Sequence, residues 1–261
     1  MIISIRKEGL ANRIKSLVSC FRIEPESSFI YWEPEVNIYF KNAEGKKVPH
    51  RPPANFNDLF ENEIVIDKPF PKEARIYNSW RLFVKPTDKV PKGFSESNFS
   101  DASFDGRNID FEYNRISKRM MTIYIEEFKK LQIKKNLLER AHKKIEEMDN
   151  NFIAIHLRSW VDVAGRKRRD YTTFDNFVEA MKQYRTGTKF FVGSDSDDVI
   201  QKLVEIFPQQ IYFLDEERTQ QNDLVDLYIL SKGSRLIGTK NSTLSEVAWW
   251  LSECNKHIRI I

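Results

Sequence analysis

Along the C-terminal half of the chain, apolar positions fall into short continuous runs separated by amphipathic segments. Phe152-Ile153-Ala154-Ile155 is apolar throughout and stops abruptly at His156, Arg158 and Asp162. A run apolar on both faces predicts a strand of a parallel sheet that is covered on both sides, over 152–157. Residues 173–184 follow with Phe174, Phe177, Val178 and Met181 on one helical face. A strand over 189–192 and a helix over 197–206, opened by acidic and hydroxyl residues, come next. Segments 211–214, 224–231, 235–238, 243–253 and 257–261 continue the alternation. Strand and helix in this order predict an α/β fold with a parallel sheet.

The N-terminal half is less regular. A strand is predicted over 1–5, a helix over 12–21 and a second strand over 29–32. Residues 34–110 hold most of the prolines and many aromatics with little periodicity, which predicts long loops and short elements. From 122 to 148 the positions Ile125, Phe128, Leu131, Leu138, Ala141, Ile145 and Met148 recur at helical spacing. An interruption over 131–135 leaves one helix or two open, and the segment is expected to link the halves.

The 261 residues suffice for one large domain or two modest ones. With 42 basic and 38 acidic residues, the net charge of +4 is small and its sources are interspersed. No basic run is interleaved with stacking aromatics, so no nucleic-acid partner is expected. The tightest basic cluster, Arg166 to Arg169, is short and follows the 152–162 segment closely. Cys20 and Cys254 have no metal-like spacing, and the four histidines no paired-ligand spacing, so no metal is expected. No signal-peptide core or membrane-length apolar stretch is present, and a cytoplasmic location is the expectation.

Candidate chemistry gathers at the predicted strand-to-helix turns. His156-Leu157-Arg158 ends a buried strand, where open α/β sheets bind ligands, and a guanidinium suits phosphate. A strand end with solvated charges is the plainer reading. At Glu8 to Arg13, Gly9 allows close backbone approach and a helix start presents N–H groups to an anion. Equally, Gly9 makes a tight turn, Asn12 caps the helix and Arg13 is solvated. In Gly193 to Asp198, Ser196 or Asp197 is the expected cap, with Asp195 an alternative partner for a ribose or base. In Gly238 to Glu246, Ser242 with Ser245 or Glu246 matches a capping box, and the hydroxyls also suit a diphosphate.

Four ordered pieces together resemble the GDP-fucose fucosyltransferase superfamily, which includes nodulation and core α-1,6-fucosyltransferases and protein O-fucosyltransferases. They are Gly9-Leu10-Ala11-Asn12-Arg13, then His156-Leu157-Arg158 with Asp162, then Phe191-Val192-Gly193-Ser194-Asp195. The last is Asp226 to Ser231 leading into Gly238-Thr239-Lys240-Asn241-Ser242-Thr243-Leu244-Ser245. The resemblance implies a GT-B-like α/β fold, two Rossmann-type halves with parallel sheets facing a cleft. Residues 1–148 would form the acceptor-side half with its linker helix, and 149–261 the nucleotide-sugar-binding half. It implies an inverting, metal-independent glycosyltransferase moving a deoxysugar, with fucose from GDP-fucose the first choice, and no cofactor beyond that donor. By the same resemblance Arg158 would hold the donor β-phosphate and stabilise the leaving diphosphate. His156 would line the nucleotide pocket, and Asn241, Ser242 and Thr243 would donate to phosphate. Asp195 and Asp226 would lie near the ribose or base, although Asp226 reads equally as an exposed helix acid. Gly9, Asn12 and Arg13 would close the donor site from the N-terminal half.

Asp162 is the first choice for a general base because it follows the phosphate arginine closely. The chain departs from the family pattern at Ser159-Trp160-Val161, where a second arginine and a shorter spacer are common. Another nucleotide-sugar donor, or a non-catalytic nucleotide-sugar or glycan-binding module, stays open as an alternative. The expected acceptor is a carbohydrate or glycolipid, and the slight basic excess is compatible with peripheral membrane contact. Trp32, Glu33, Trp80 and the aromatics over 94–111 are candidates for stacking on sugars, with packing the simpler reading. Trp249-Trp250 reads as buried helix packing.

Overall fold

A computed structural model describes residues 2–4, 9–23, 30–32, 39–41, 47–49, 54–63, 65–66, 75–77, 118–158, 174–239 and 242–261. The chain divides into two compact units, Met1–Lys135 with Thr219–Gln221, and Asn136–Arg218 with Asn222–Ile261.

The first unit contains strand β1 (Ile2–Ser4), helix α1 (Leu10–Ile23), β2 (Ile30–Tyr31), β3 (Tyr39–Lys41), β4 (Lys47–Pro49), β5 (Val65–Ile66), β6 (Arg75–Tyr77) and helix α2 (Lys118–Lys129). β1 pairs with β6 and β2 with β5, both in parallel, while β3 and β4 form an antiparallel pair. Helix α1 buries Leu10, Ile14, Leu17, Val18 and Phe21, a stripe at helical spacing that fits its packing against α2. Trp32 is core: its ring meets Phe56 and Phe60 edge-on at 5.5 and 5.9 Å, and its Nε1–H donates to the Ala54 carbonyl.

The helical periodicity over 122–148 resolves into two helices, α2 and α3 (Lys135–Glu146). The break is built by pairing with residues 59–62. Phe60 bridges Ile133, and the Asn62 side chain donates to the Lys130 carbonyl and accepts the Gln132 N–H. These partners satisfy backbone groups that an uninterrupted helix would have satisfied internally. Helix α3 ends at Asp149 and Asn150, both at φ 55°, a left-handed turn that Asp and Asn tolerate better than most residues.

The second unit alternates β7 (Ile153–Leu157), α4 (Phe174–Lys182), β8 (Phe190–Ser194), α5 (Asp197–Ile206), β9 (Ile211–Tyr212), α6 (Gln220–Lys232), β10 (Arg235–Gly238), α7 (Thr243–Leu251) and β11 (His257–Ile260). Its strands form one all-parallel sheet in the order β11-β10-β7-β8-β9. The chain starts at the central strand, fills one side through α4 and α5, then returns to fill the other through α6 and α7. Successive residues of β7 follow the two-residue alternation. Ile153, Ile155 and Leu157 join the core with Phe177, Val178, Met181, Ile200 and Leu203 of α4 and α5. Ala154 and His156 point to the opposite face, where α7 supplies Ser245. Trp249 and Trp250 are buried in α7 with ring centroids 5.1 Å apart, as the tandem tryptophans predict. No helix among the described residues is long and apolar enough to cross a membrane.

Candidate functional site

Where a parallel sheet is filled first on one side and then on the other, the two strands at the reversal leave a crevice at their carboxyl ends. In the second unit these strands are β7 and β10. His156, the fourth residue of β7, pairs in register with Gly193 of β8 and Gly238 of β10. A glycine on each side of the histidine leaves its helix-facing side without neighbouring side chains from the sheet.

Beyond the last ladder bonds, Thr239 joins the two strand ends. Its hydroxyl donates to the His156 carbonyl and accepts the Arg158 N–H, both at 2.9 Å. Ser245, in the first turn of α7, accepts the Thr239 N–H at 3.2 Å and stands 2.6 Å from His156 Nδ1. Gly238 makes this approach of α7 geometrically feasible, since a Cβ on it would lie 2.8 Å from both Ser245 Cβ and Oγ. The first turn of α7 is therefore fixed against the ends of β7 and β10.

Arg158 follows β7 directly and keeps about a third of its side chain exposed, with Nε 3.2 Å from Asp195 Oδ2. Asp195 lies just past β8, on the turn into α5. Arg218 clasps that turn by donating to the Ser194 carbonyl and to Asp197 Oδ1. Asp226 of α6 is half-buried and faces the end of β8, its carboxylate 3.9 Å from where a Gly193 side chain would begin. It is not the exposed helix acid of the alternative reading.

Burial, and secondarily the Arg158 charge, lower the pKa of His156 from 6.5 to about 3, partly opposed by Asp195. The ring is therefore neutral at ordinary pH and serves as a hydrogen-bonding wall, not as a titrating acid or base. Because the unfolded chain binds the extra proton between pH 6.5 and 3, this group's contribution to stability is present above 6.5 and is lost as pH falls through that window. Urea unfolding followed across the window should show a shallower acid limb in His156→Gln than in wild type. An identical limb in the two proteins would contradict the buried neutral ring.

The structure thus brings His156, Arg158, Asp195 and Asp226 to the carboxyl edge of the central strands, with Ser242 and Thr243 at the start of α7. Ser242 holds the N-cap position but makes no side-chain cap bond, so the expected capping box is absent. Its predicted partner Ser245 is committed to His156 and Thr239, and Glu246 accepts the Trp250 Nε1–H. Ser196 likewise takes the N-cap position of α5 without a side-chain bond. Thr239 and Ser245 join the site beyond the residues that the sequence pattern marks. The close succession of hydroxyls after Gly238 was the available signal.

Gly9 and Arg13 lie in the first unit, at the start of α1. Arg13 is not solvated: it is buried, its guanidinium lies 3.7 Å from the Trp32 ring centroid and Nη1 donates to Gln220 Oε1 at 2.9 Å. The side chain of Asn12 and all of Glu33, Trp80, Asp162, Asn241, 94–111 and the 166–169 basic cluster lie outside the described residues. Among the described residues no group of three or more His, Cys, Asp or Glu stands together so as to hold a metal ion.

No family model matches the chain, and no curated protein matches its sequence. Solved structures do match its fold. NodZ α-1,6-fucosyltransferase from a crystal soaked with GDP-fucose aligns with a TM-score of 0.55 at 16% identity, over 96% of this chain and 91% of its own. Fucosyltransferase NodZ from Bradyrhizobium gives 0.56 at 14%, over 95% and 91%. POFUT1 in complex with GDP-fucose gives 0.52 at 13%, over 100% and 96%. The chain shares the α/β fold of these fucosyltransferases.

Proposed function

We propose that the chain is an inverting, metal-independent glycosyltransferase that moves fucose from GDP-fucose to a hydroxyl of a glycan or glycoconjugate. The observation that carries this reading is the cluster of Arg158, Asp195, His156 and Thr239 at the β7/β10 reversal. Its weight comes from the fold, which is shared with solved fucosyltransferases whose crystals contain GDP-fucose. In this reading the two halves, 1–148 and 149–261, form a GT-B pair, with the nucleotide sugar held by the second and the acceptor by the first.

The chemistry requires a sugar–oxygen bond to break with its electrons leaving on GDP while the acceptor oxygen attacks the anomeric carbon from the opposite side. Negative charge grows on the β-phosphate, so preorganised donors aimed there supply the main catalytic effect. Arg158 holds the β-phosphate, with its Nε edge oriented by Asp195. Asn241, Ser242, Thr243 and the N–H groups opening α7 take the remaining phosphate oxygens. Asp226, facing the end of β8, serves the ribose or base. The acceptor proton passes to Asp162.

A thermal-shift panel of GDP, UDP, dTDP, CDP and ADP, each with and without EDTA, tests the reading before turnover is assayed. Selective stabilisation by GDP that EDTA leaves unchanged, followed by release of GDP from GDP-fucose on adding glycan acceptors, is expected. Preference for another nucleotide would replace the donor. Stabilisation without hydrolysis or transfer would support a binding module of the same fold. Absence of any nucleotide effect would overturn the reading.

A further inference from the structure

The opposite end of the second unit's sheet holds a cavity that the proposed transfer does not use. The amino-terminal starts of β7, β8 and β10 border it, together with the turn closing α3 and the loop after α4. Its volume is about 620 Å³, within the ordinary range of small-molecule sites and far more than a lone phosphate needs.

The charge of its wall is one-sided. Among the described residues, Arg185, Lys189 and Arg235 line it, against the single carboxylate of Asp149. Lys189 Nζ stands 2.5 Å from Asp149 Oδ2, so that acid and that base compensate each other. The ion pairs among the described residues leave Arg185 and Arg235 out, and both side chains are exposed to solvent at the rim. The remaining wall is largely neutral and polar. Asn151 presents an amide, and Tyr184 a half-buried ring placed edge-on to Phe190 at 5.9 Å. Two guanidinium groups with no ion-pair partner among the described residues, beside an amide and an aromatic ring, match a ligand that carries acidic groups on a hydroxyl-rich ring scaffold.

We propose that this cavity binds an acidic oligosaccharide, with Arg185 and Arg235 taking its sulfate, phosphate or carboxylate groups. Asn151 meets ring hydroxyls, and Tyr184 offers its ring face or hydroxyl to a sugar. The site is independent of the nucleotide reading, because it borders the amino-terminal ends of β7, β8 and β10, whereas His156, Arg158 and Asp195 lie at the carboxyl ends of β7 and β8.

The test is calorimetric titration of the intact chain with a sulfated heparin-derived tetrasaccharide, neutral chitotetraose and inorganic phosphate, at low and high salt. Saturable 1:1 binding of the sulfated tetrasaccharide is expected, weakened by salt and unchanged by saturating GDP. R185E/R235E should weaken it about tenfold or more while leaving the melting temperature and GDP response unaltered, since both side chains are exposed. No binding of the sulfated tetrasaccharide, equal binding by the double variant, or equal binding of chitotetraose would overturn the proposal. Inorganic phosphate binding as tightly as the tetrasaccharide would also overturn it, reducing the cavity to a simple anion site. GDP binding is read separately in the same protein, so failure of either site leaves the other testable.

Discussion

Arg158→Ala is expected to lower GDP-fucose turnover by about 100- to 1,000-fold, the range found when one preorganised donor to a developing negative charge is removed. The folded structure should survive. The side chain is partly exposed, and the bond from the Arg158 backbone N–H to Thr239 Oγ1, which ties the end of β7 to β10, is retained by alanine. GDP protection against heat should fall along with turnover, because the β-phosphate is present in donor and product alike. Arg158→Lys separates charge from geometry: it keeps the charge but loses the planar array of donors and the Nε contact to Asp195. Lysine should therefore recover part of the GDP affinity and little of the turnover. Wild-type GDP affinity and turnover in Arg158→Ala, in a protein with an unchanged melting curve, would remove Arg158 from the phosphate role and with it the core of the proposed mechanism.

What the sequence makes legible follows from which physical constraints are local. The central strands β7, β8 and β10 are read from their own apolar runs, because a parallel strand covered on both faces is built mainly of apolar residues. Thus β10 appears over 235–238 as predicted, and β7 differs from its predicted span only by Phe152. Helix α6 starts at Gln220, four residues before the predicted 224, because Gln220-Gln221-Asn222-Asp223 adds a polar turn with no apolar periodicity to announce it. The order β11-β10-β7-β8-β9 is not written in any single segment. It depends on which face each connection crosses.

The site divides in the same way. His156, Arg158 and Asp195 are legible because they sit at the ends of recognisable strands. Sequence pattern makes Ser245 half of a capping box, since that motif is defined within four residues. Its hydroxyl is instead used by His156, 89 positions away in sequence, and no local pattern encodes such a partner. The solvated reading of Arg13 fails for a similar reason: its neighbours Trp32 and Gln220 come from distant segments. The short elements between β2 and α2 were legible only as an absence of periodicity. Two-residue strands such as β5 are too brief to show any.

Gly238→Ala should couple the fold to the site and cost about 1–3 kcal/mol, the usual range for overpacking a tight interior position. The added methyl would stand 2.8 Å from Ser245 Cβ and Oγ and 3.2 Å from Ile260 Cδ1, so it presses on the first turn of α7 and on β11 together. Relief requires α7 to move outward. That movement lengthens the contact of Ser245 with His156 and its acceptance of the Thr239 N–H, loosening the end of β7 from which Arg158 projects. The variant should therefore melt several degrees lower, at about 2–4 °C per kcal/mol for a domain of moderate size, and bind GDP more weakly. Ser245→Gly supplies the control. Alone it destabilises, because it leaves His156 Nδ1 and the Thr239 N–H without their Ser245 partner and puts glycine in a helix. In the Gly238→Ala background it removes the atoms that clash, so the double variant should lose less stability than the sum of the two single changes. Strict additivity, or wild-type stability in Gly238→Ala, would show that the close approach of α7 to β10 is not what positions the site.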